Sequence, residues 1–165
     1  MAEAAKLGPL LKMIEECAVA TNYLIGESRL KQLQLLPMEI REDDLVLVHA
    51  APGDLWKAPT DPLDDAALEN VYGSLGATTV VYGHIHRPFI HQLPKFTVCN
   101  SGSVGMPYDG DSRASYLLLT EGRPEIRRVE YDVEREIKSL LASNYPHKEW
   151  LAEVRRRGAY VPPPV

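Results

Sequence analysis

Cysteine is scarce in this chain, and so is phenylalanine, with two of each in 165 residues. Cys17 and Cys99 stand far apart with no Cys-x-x-Cys pair, which leaves neither a disulfide framework nor a thiolate metal site. Both read as small buried thiols. No apolar run approaches the ~18 residues that a membrane span requires; residues 45–48 and 116–119 are among the longest. An excess of positive charge is also lacking: 18 Lys and Arg against 23 Asp and Glu leave a net charge of −5. That field repels a polyanion rather than recruiting one. The opening residues show no basic-then-apolar secretion signal. These absences predict a cytoplasmic protein without a nucleic-acid polymer or a membrane as partner.

What is present suits a globular fold. Hydrophobic residues make up 45% and charged residues 25%, enough for one domain over residues 1–165 that buries about two-thirds of its unfolded surface. No internal repeat or clear interdomain linker divides it. Residues 1–40 read as helices: Leu10, Leu11, Ile14, Cys17 and Ala18 fall on one helical face, Pro9 suits a first turn, and Gly26 ends the helix. Ser28 then caps a second short helix that Pro37 stops. After the acidic residues 41–44 the period changes. Residues 45–48 and 78–82 are short continuous apolar runs, the pattern of strands buried on both faces. Between them, residues 64–75 form a helix closed by Gly76. Residues 89–93 and 96–99 read as strands, and residues 116–120 and 126–131 as a hairpin around residues 121–124. Asp132 caps a helix over residues 133–142, Pro146 opens another reaching Arg157, and residues 161–164 form an extended tail.

Three of the five histidines follow directly on these buried strands: His49 after the first, and Gly83-His84-Ile85-His86 after the second. Strand ends of an α/β domain are where sites are built. Neutral imidazoles serve a borderline divalent metal well, and glycine removes the Cβ that would obstruct close approach. A lone histidine at a strand end is more often a hydrogen-bonded structural residue, and for His49 alone that reading stands. The His-x-His pair carries more, because on a plain strand the two side chains would point to opposite faces and only a loop lets them converge. The loop Asn100-Ser101-Gly102-Ser103-Val104-Gly105 offers either backbone amides to an anion or a tightly packed turn. Asp109, Asp111 and Arg113 read as a substrate or metal-water contact or as a solvated turn. His91 and His147 read as surface residues, and Arg155, Arg156 and Arg157 suit a helix C-terminus.

Taken together in this order, His49-Ala50-Ala51-Pro52-Gly53, Gly83-His84-Ile85-His86-Arg87-Pro88 and the 100–105 loop resemble the calcineurin-like metallophosphoesterase superfamily, in its small prokaryotic phosphodiesterase branch. The resemblance covers roughly residues 30–131. It implies an α/β fold of four layers, α/β/β/α. It also implies a two-metal centre of manganese, zinc or iron, whose bridging hydroxide attacks phosphorus in line. By position, His49 and His84 would bind the second metal and His86 the first; the residues themselves offer Asn100, Gly102 and Arg113 as contacts to a phosphate-ester substrate. Ser101 departs from the proline usual at that position.

A larger departure lies ahead of His49. The family's Asp-x-His, Gly-Asp and Gly-Asn-His motifs are not found there; Gly53-Asp54 and Gly110-Asp111 both follow His49. The chain therefore reads as truncated: the C-terminal half of the fold, lacking the N-terminal strands, with no catalytic residue of its own to assign. Three neutral imidazoles neither offset two divalent cations nor bridge them, so at most one ion is expected. An isolated chain that is inactive or impaired follows, as does a homo-oligomer formed through an exposed sheet edge. The alternative is a catalytically inactive protein-binding scaffold of the same fold, as in the retromer scaffold subunit. A mononuclear zinc hydrolase ranks third, for want of an identifiable general base.

Overall fold

Runs rich in valine and other β-branched residues build the frame, because their side chains pack well on a pleated surface. The computed structural model describes residues 2–163, and the first strands are β1 (Glu39–Glu42), β2 (Leu45–Val48) and β3 (Thr79–Tyr82). β4 (Phe89–Gln92) and β5 (Thr97–Asn100) complete a five-stranded sheet in the order β1-β2-β3-β5-β4. The three inner strands run parallel, with Val46, Val80 and Val98 in one register row, while β1 and β4 add antiparallel edges.

One face of this sheet carries Val46, Val48, Val80, Tyr82 and Val98. It packs against Leu68 and Tyr72 of α2 (Asp65–Tyr72), with Leu93 and Phe96 closing the cluster. Asp64 caps α2 by accepting from the Ala67 amide at 2.9 Å, and a 3₁₀ turn over Gly73–Leu75 ends at Gly76 with φ of 65°. The opposite face, with Thr79, Val81 and Cys99, is buried as well. On that side lies a separate two-stranded hairpin, β6 (Ala114–Thr120) and β7 (Arg123–Val129), joined to the frame where the Ser115 hydroxyl donates to the Ser101 carbonyl at 2.9 Å. The mixed α/β architecture expected from the sequence is the one observed.

Helices flank this frame. α1 (Ala2–Gln34) is broken by Gly26, at φ 77° and ψ 161°. Gly26 thus divides two helical segments, as its position in the sequence predicts. Pro9, expected in the first turn, lies inside the helix instead, since the alanine-rich opening Ala2-Glu3-Ala4-Ala5 extends it N-terminally. α3 (Val133–Ala142) begins at its Asp132 cap and packs against α4 (Lys148–Arg157). Arg155 is bonded to Glu136 at 2.5 Å, and Arg157 to Glu153 at 2.5 Å, so these arginines have partners within the chain. Cys99 is buried as expected, whereas Cys17 is only half-buried on α1. The expected tail is described through Pro163; Pro164 lies outside the described residues. Among the described residues, no helix is long and apolar enough to cross a membrane.

Candidate metal centre

The ends of β2 and β3 stay paired one residue past the strands: the Gly83 amide donates to the His49 carbonyl at 3.0 Å. This bond holds the loop bearing His84 and His86 beside His49. β5 joins them through Asn100, which is fully buried. Its side-chain amide donates to the Gly83 carbonyl at 2.5 Å, and its carbonyl oxygen accepts from the Gly102 amide at 2.9 Å. One side chain thus fastens the third strand-end loop to the second.

Within Gly83–His86 the chain leaves the strand sharply. His84 and His86 both adopt the left-handed region, at φ of 60° and 56°, a conformation that costs a non-glycine residue about 1 kcal/mol or more. The turn defeats the alternation that would send the two imidazoles to opposite faces. His84 Nδ1 comes to 3.3 Å from His49 Nε2, with the rings edge-on at 75°. His86 Nδ1 donates to the Met106 carbonyl at 2.8 Å, and the Tyr108 ring lies over it with centroids 4.9 Å apart. The Tyr108 amide returns a bond to the His86 carbonyl at 3.1 Å.

These contacts test the site for a metal. Two nitrogens bound at ~2.1 Å to one tetrahedral ion sit roughly 3.4 Å apart, which is the separation between His49 and His84. A ligating imidazole commonly donates its other N–H to a carbonyl, as His86 does to Met106, and Nε2 is then left as the lone-pair nitrogen. Burial lowers the pKa of His49 and of His86, and the neighbouring histidines push the same way, so both rings are held toward the neutral, ligand-competent form. A full donor set is not assembled: among the described residues no group of three or more His, Cys, Asp or Glu side chains is placed to enclose an ion. The donors present fit a single ion at the His49–His84 pair, and among the described residues no carboxylate completes a larger set.

The nearby acids are engaged elsewhere. Residues 51–54 form a tight turn, with Pro52 and a left-handed Gly53 (φ 73°) in its centre and reciprocal Ala51–Asp54 backbone bonds of 3.1 Å. The Asp54 carboxylate accepts the Trp56 amide at 2.8 Å and the Lys57 amide at 3.1 Å. Those bonds, the first above all, hold its pKa below the usual range, with His84 near enough to contribute. The Tyr72 hydroxyl donates to the Ala50 carbonyl and the Tyr82 hydroxyl to the Pro59 carbonyl, each at 2.8 Å. The loop after His49 is therefore pinned at both ends to the core.

Among the expected substrate contacts, Asn100 and Gly102 shape the loop behind the histidines and bond to each other. Arg113 sits at the start of the hairpin and is bonded to both carboxylate oxygens of Asp111. Asp109 pairs with Arg128, His91 with Asp65 and His147 with Glu16. The open cleft beside His84, about 800 Å³, is lined instead by Trp56, Lys57, Arg87, Tyr108 and Tyr160. Sequence reasoning assigns selectivity to loops 54–62 and 106–113 without naming these side chains, and it does not reach Tyr160. A lone tryptophan two places after an aspartate in a proline-rich loop was the readable signal, since it marks a pinned turn presenting an aromatic ring. Tyr160 carried none, because its place depends on contacts fifty residues away.

Comparison with known proteins agrees with this geometry. The calcineurin-like phosphoesterase superfamily domain matches residues 15–123. An uncharacterized protein of Methanocaldococcus jannaschii is 31% identical, the match covering 81% of this chain and 61% of that protein. The chain thus spans less than two-thirds of that relative's length. In fold it is similar to a metallophosphoesterase from Sphaerobacter thermophilus, with a TM-score of 0.74 and 24% identity over 86% of this chain and 67% of that one. A hypothetical protein from Pyrococcus horikoshii OT3 superposes with a TM-score of 0.68 at 15% identity, covering 79% of this chain and 54% of the other.

Proposed function

The chain belongs to the calcineurin-like phosphoesterase superfamily, and from that premise we propose that it acts on phosphate esters through a divalent ion at His49, His84 and His86. The observation that carries the reading is the 3.3 Å approach of His84 Nδ1 to His49 Nε2 at the ends of adjacent parallel strands. When bound, a manganese, zinc or iron ion supplies positive charge that polarises a phosphoryl oxygen. His49 and His84 hold it, and His86, clamped by Met106 and Tyr108, stands ready as a further donor. Lys57 and Arg87, both exposed beside His84, neutralise the remaining phosphate charge. Asn100 and Gly102 keep the three loops in register, and Arg113 with Asp111 braces the hairpin behind them.

In this proposal the chain works as one domain, its ligand loops within residues 41–131, and contributes a one-ion site. A second ion needs carboxylates that His49, His84 and His86 do not supply. Self-association through an exposed edge belongs to the same proposal: the two-stranded β6–β7 hairpin leaves Tyr116 and Leu118 partly exposed. A monomer in sedimentation at micromolar concentration counts against it.

Calorimetric titration of the metal-stripped chain with manganese and zinc tests the ligand assignment. The expected stoichiometry is one ion per chain, lost in His84→Ala and weakened more than about 100-fold in His49→Ala. Two ions per chain would overturn the one-ion assignment, and none would overturn the metal reading. The scaffold alternative draws on α1, where Val19, Tyr23 and Leu24 are 65%, 88% and 67% exposed. A chain that binds no ion yet captures a partner through α1 would favour it.

A further inference from the structure

Trp56 poses a problem that a bare phosphate does not solve. It is 72% exposed, yet its backbone is fixed by Asp54 and its loop is pinned to the core through Tyr72 and Tyr82. The backbone that carries a large, water-exposed ring is thereby fixed at the mouth of the cleft. Trp150, in contrast, is satisfied inside the fold, donating its indole N–H to the Val161 carbonyl at 2.9 Å.

A second ring reaches the same cleft from the far end of the chain. Gly158 ends α4 in the left-handed conformation, and its carbonyl accepts the Gly110 amide at 2.8 Å. That bond ties Gly158 to the 106–113 loop, and the one from Trp150 ties Val161 back onto α4. Tyr160, 51% exposed, therefore lines the cleft, meeting Tyr108 at 83° with centroids 5.8 Å apart. Perpendicular rings leave at least one face of Tyr160 open, whereas Tyr108 is committed to His86.

Lys57 and Arg87 line the same cleft as the rings and His84, two cations against the single carboxylate of Asp61, and neither has an ion-pair partner among the described residues. Aromatic side chains, with only two χ angles to order, bind planar rings at small entropic cost, and Lys and Arg bind phosphate. The volume, about 800 Å³, matches a drug-sized molecule rather than an inorganic ion. We propose that the cleft selects phosphate esters bearing a planar aromatic ring, of nucleotide size, with Trp56 and Tyr160 engaging the ring and Lys57 and Arg87 the phosphate. This rests on the phosphoesterase reading for its phosphate half and on the two rings for its specificity.

The test is direct titration of the purified chain, in the presence of manganese, with adenosine 5′-monophosphate, ribose 5-phosphate and adenosine, following heat release and tryptophan fluorescence. Stacking on one aromatic side chain gains about tenfold or more in affinity. The expected result is a nucleotide bound at least about tenfold tighter than ribose 5-phosphate, with fluorescence quenched. In Trp56→Ala, whose folding is checked by its melting temperature, the nucleotide falls to the affinity of ribose 5-phosphate. Equal binding of the two phosphates by the parent chain, or an unchanged preference in Trp56→Ala, overturns the ring proposal and leaves the phosphate reading intact. Adenosine binding without ribose 5-phosphate binding overturns the phosphate reading instead. Binding of none of the three overturns both.

Discussion

β3 and α1 are built on opposite terms. Every residue of β3 is buried and the strand is hydrogen-bonded on both sides, to β2 and to β5. α1 runs for 33 residues, and Met13 is its one fully buried side chain among those described. The difference teaches where positional precision resides. Ligands at the ends of β2 and β3 inherit a frame that cannot shift without breaking a ladder and a packed cluster. α1 is hydrogen-bonded to the turn between α3 and α4 and shares a pocket with Met106 and Tyr108, so it reaches the histidines only through the pair that clamps His86.

The largest effect should come from breaking the frame. Leu68 is fully buried beneath Val46, Val80 and Val98, and Leu68→Ala is expected to cost about 3 kcal/mol through lost burial and a residual cavity. Leu24→Ala on α1, at an exposed position, should stay within about 0.5 kcal/mol. Urea midpoints of the two variants measure the contrast. Comparable losses would mean that α1 is as integral as the sheet and would end the distinction.

This contrast also sorts what the sequence discloses. β2 and β3 are legible because strands buried on both faces show as unbroken apolar runs, and His49 and His84 are legible because they follow those runs directly. β1 was not: Glu39, Arg41 and Glu42 surround one apolar residue, and an edge strand protected by charge has no hydrophobic period to read. In the β6–β7 hairpin, Pro124 marks a turn by composition but lies inside β7 opposite Leu119. The actual turn is Glu121-Gly122, both left-handed, and a strand with a single partner tolerates the missing N–H. The cleft is illegible for another reason: Tyr160 comes to the cleft that Trp56 lines only through the tertiary docking of the tail, which no local pattern encodes.

The docking of that tail can be broken separately. A Cβ on Gly158 would come within 2.7 Å of the Asp111 carbonyl carbon and 2.8 Å of the Ser112 amide. Both are backbone atoms that cannot swing aside, and the residue is left-handed besides. Gly158→Ala should cost about 2 kcal/mol from conformation and overlap combined. It should also weaken nucleotide binding while leaving ion binding at His84 within twofold, because the tail reaches the rings and not the β2–β3 frame. A parallel loss of ion binding would show that frame and tail are one unit.

A smaller change probes the attachment of α1. The Tyr145 hydroxyl donates to the Cys17 carbonyl at 3.2 Å and so accepts from the Thr21 hydroxyl at 2.7 Å. Tyr145→Phe removes both bonds and should cost about 1 kcal/mol. Hydrogen exchange locates the effect: amides of α1 near Cys17 and Thr21 lose protection while those of β3 keep theirs. Loss of protection in β3 would contradict the independence of the two regions.

The smallest expected effect lies on the hairpin side of the frame and carries a pH signature. Asp111 accepts from the Arg113 side chain and amide, and these bonds, with Arg128 nearby, lower its pKa to about 2 from the ordinary carboxylate value of 3.8. A carboxylate depressed on folding stabilises the native state above its unfolded pKa, and that contribution is lost as pH falls through the folded value. Asp111→Asn should therefore be less stable than the parent at pH 7, and the gap should close between about pH 4 and pH 2. The pair is partly exposed, so added salt should narrow the gap as well. Urea melts of both proteins at several pH values measure it. A gap that persists unchanged at pH 2 would assign the contribution of Asp111 to loop shape rather than charge, and would place the 109–113 loop with the rigid frame instead of with the tail it anchors.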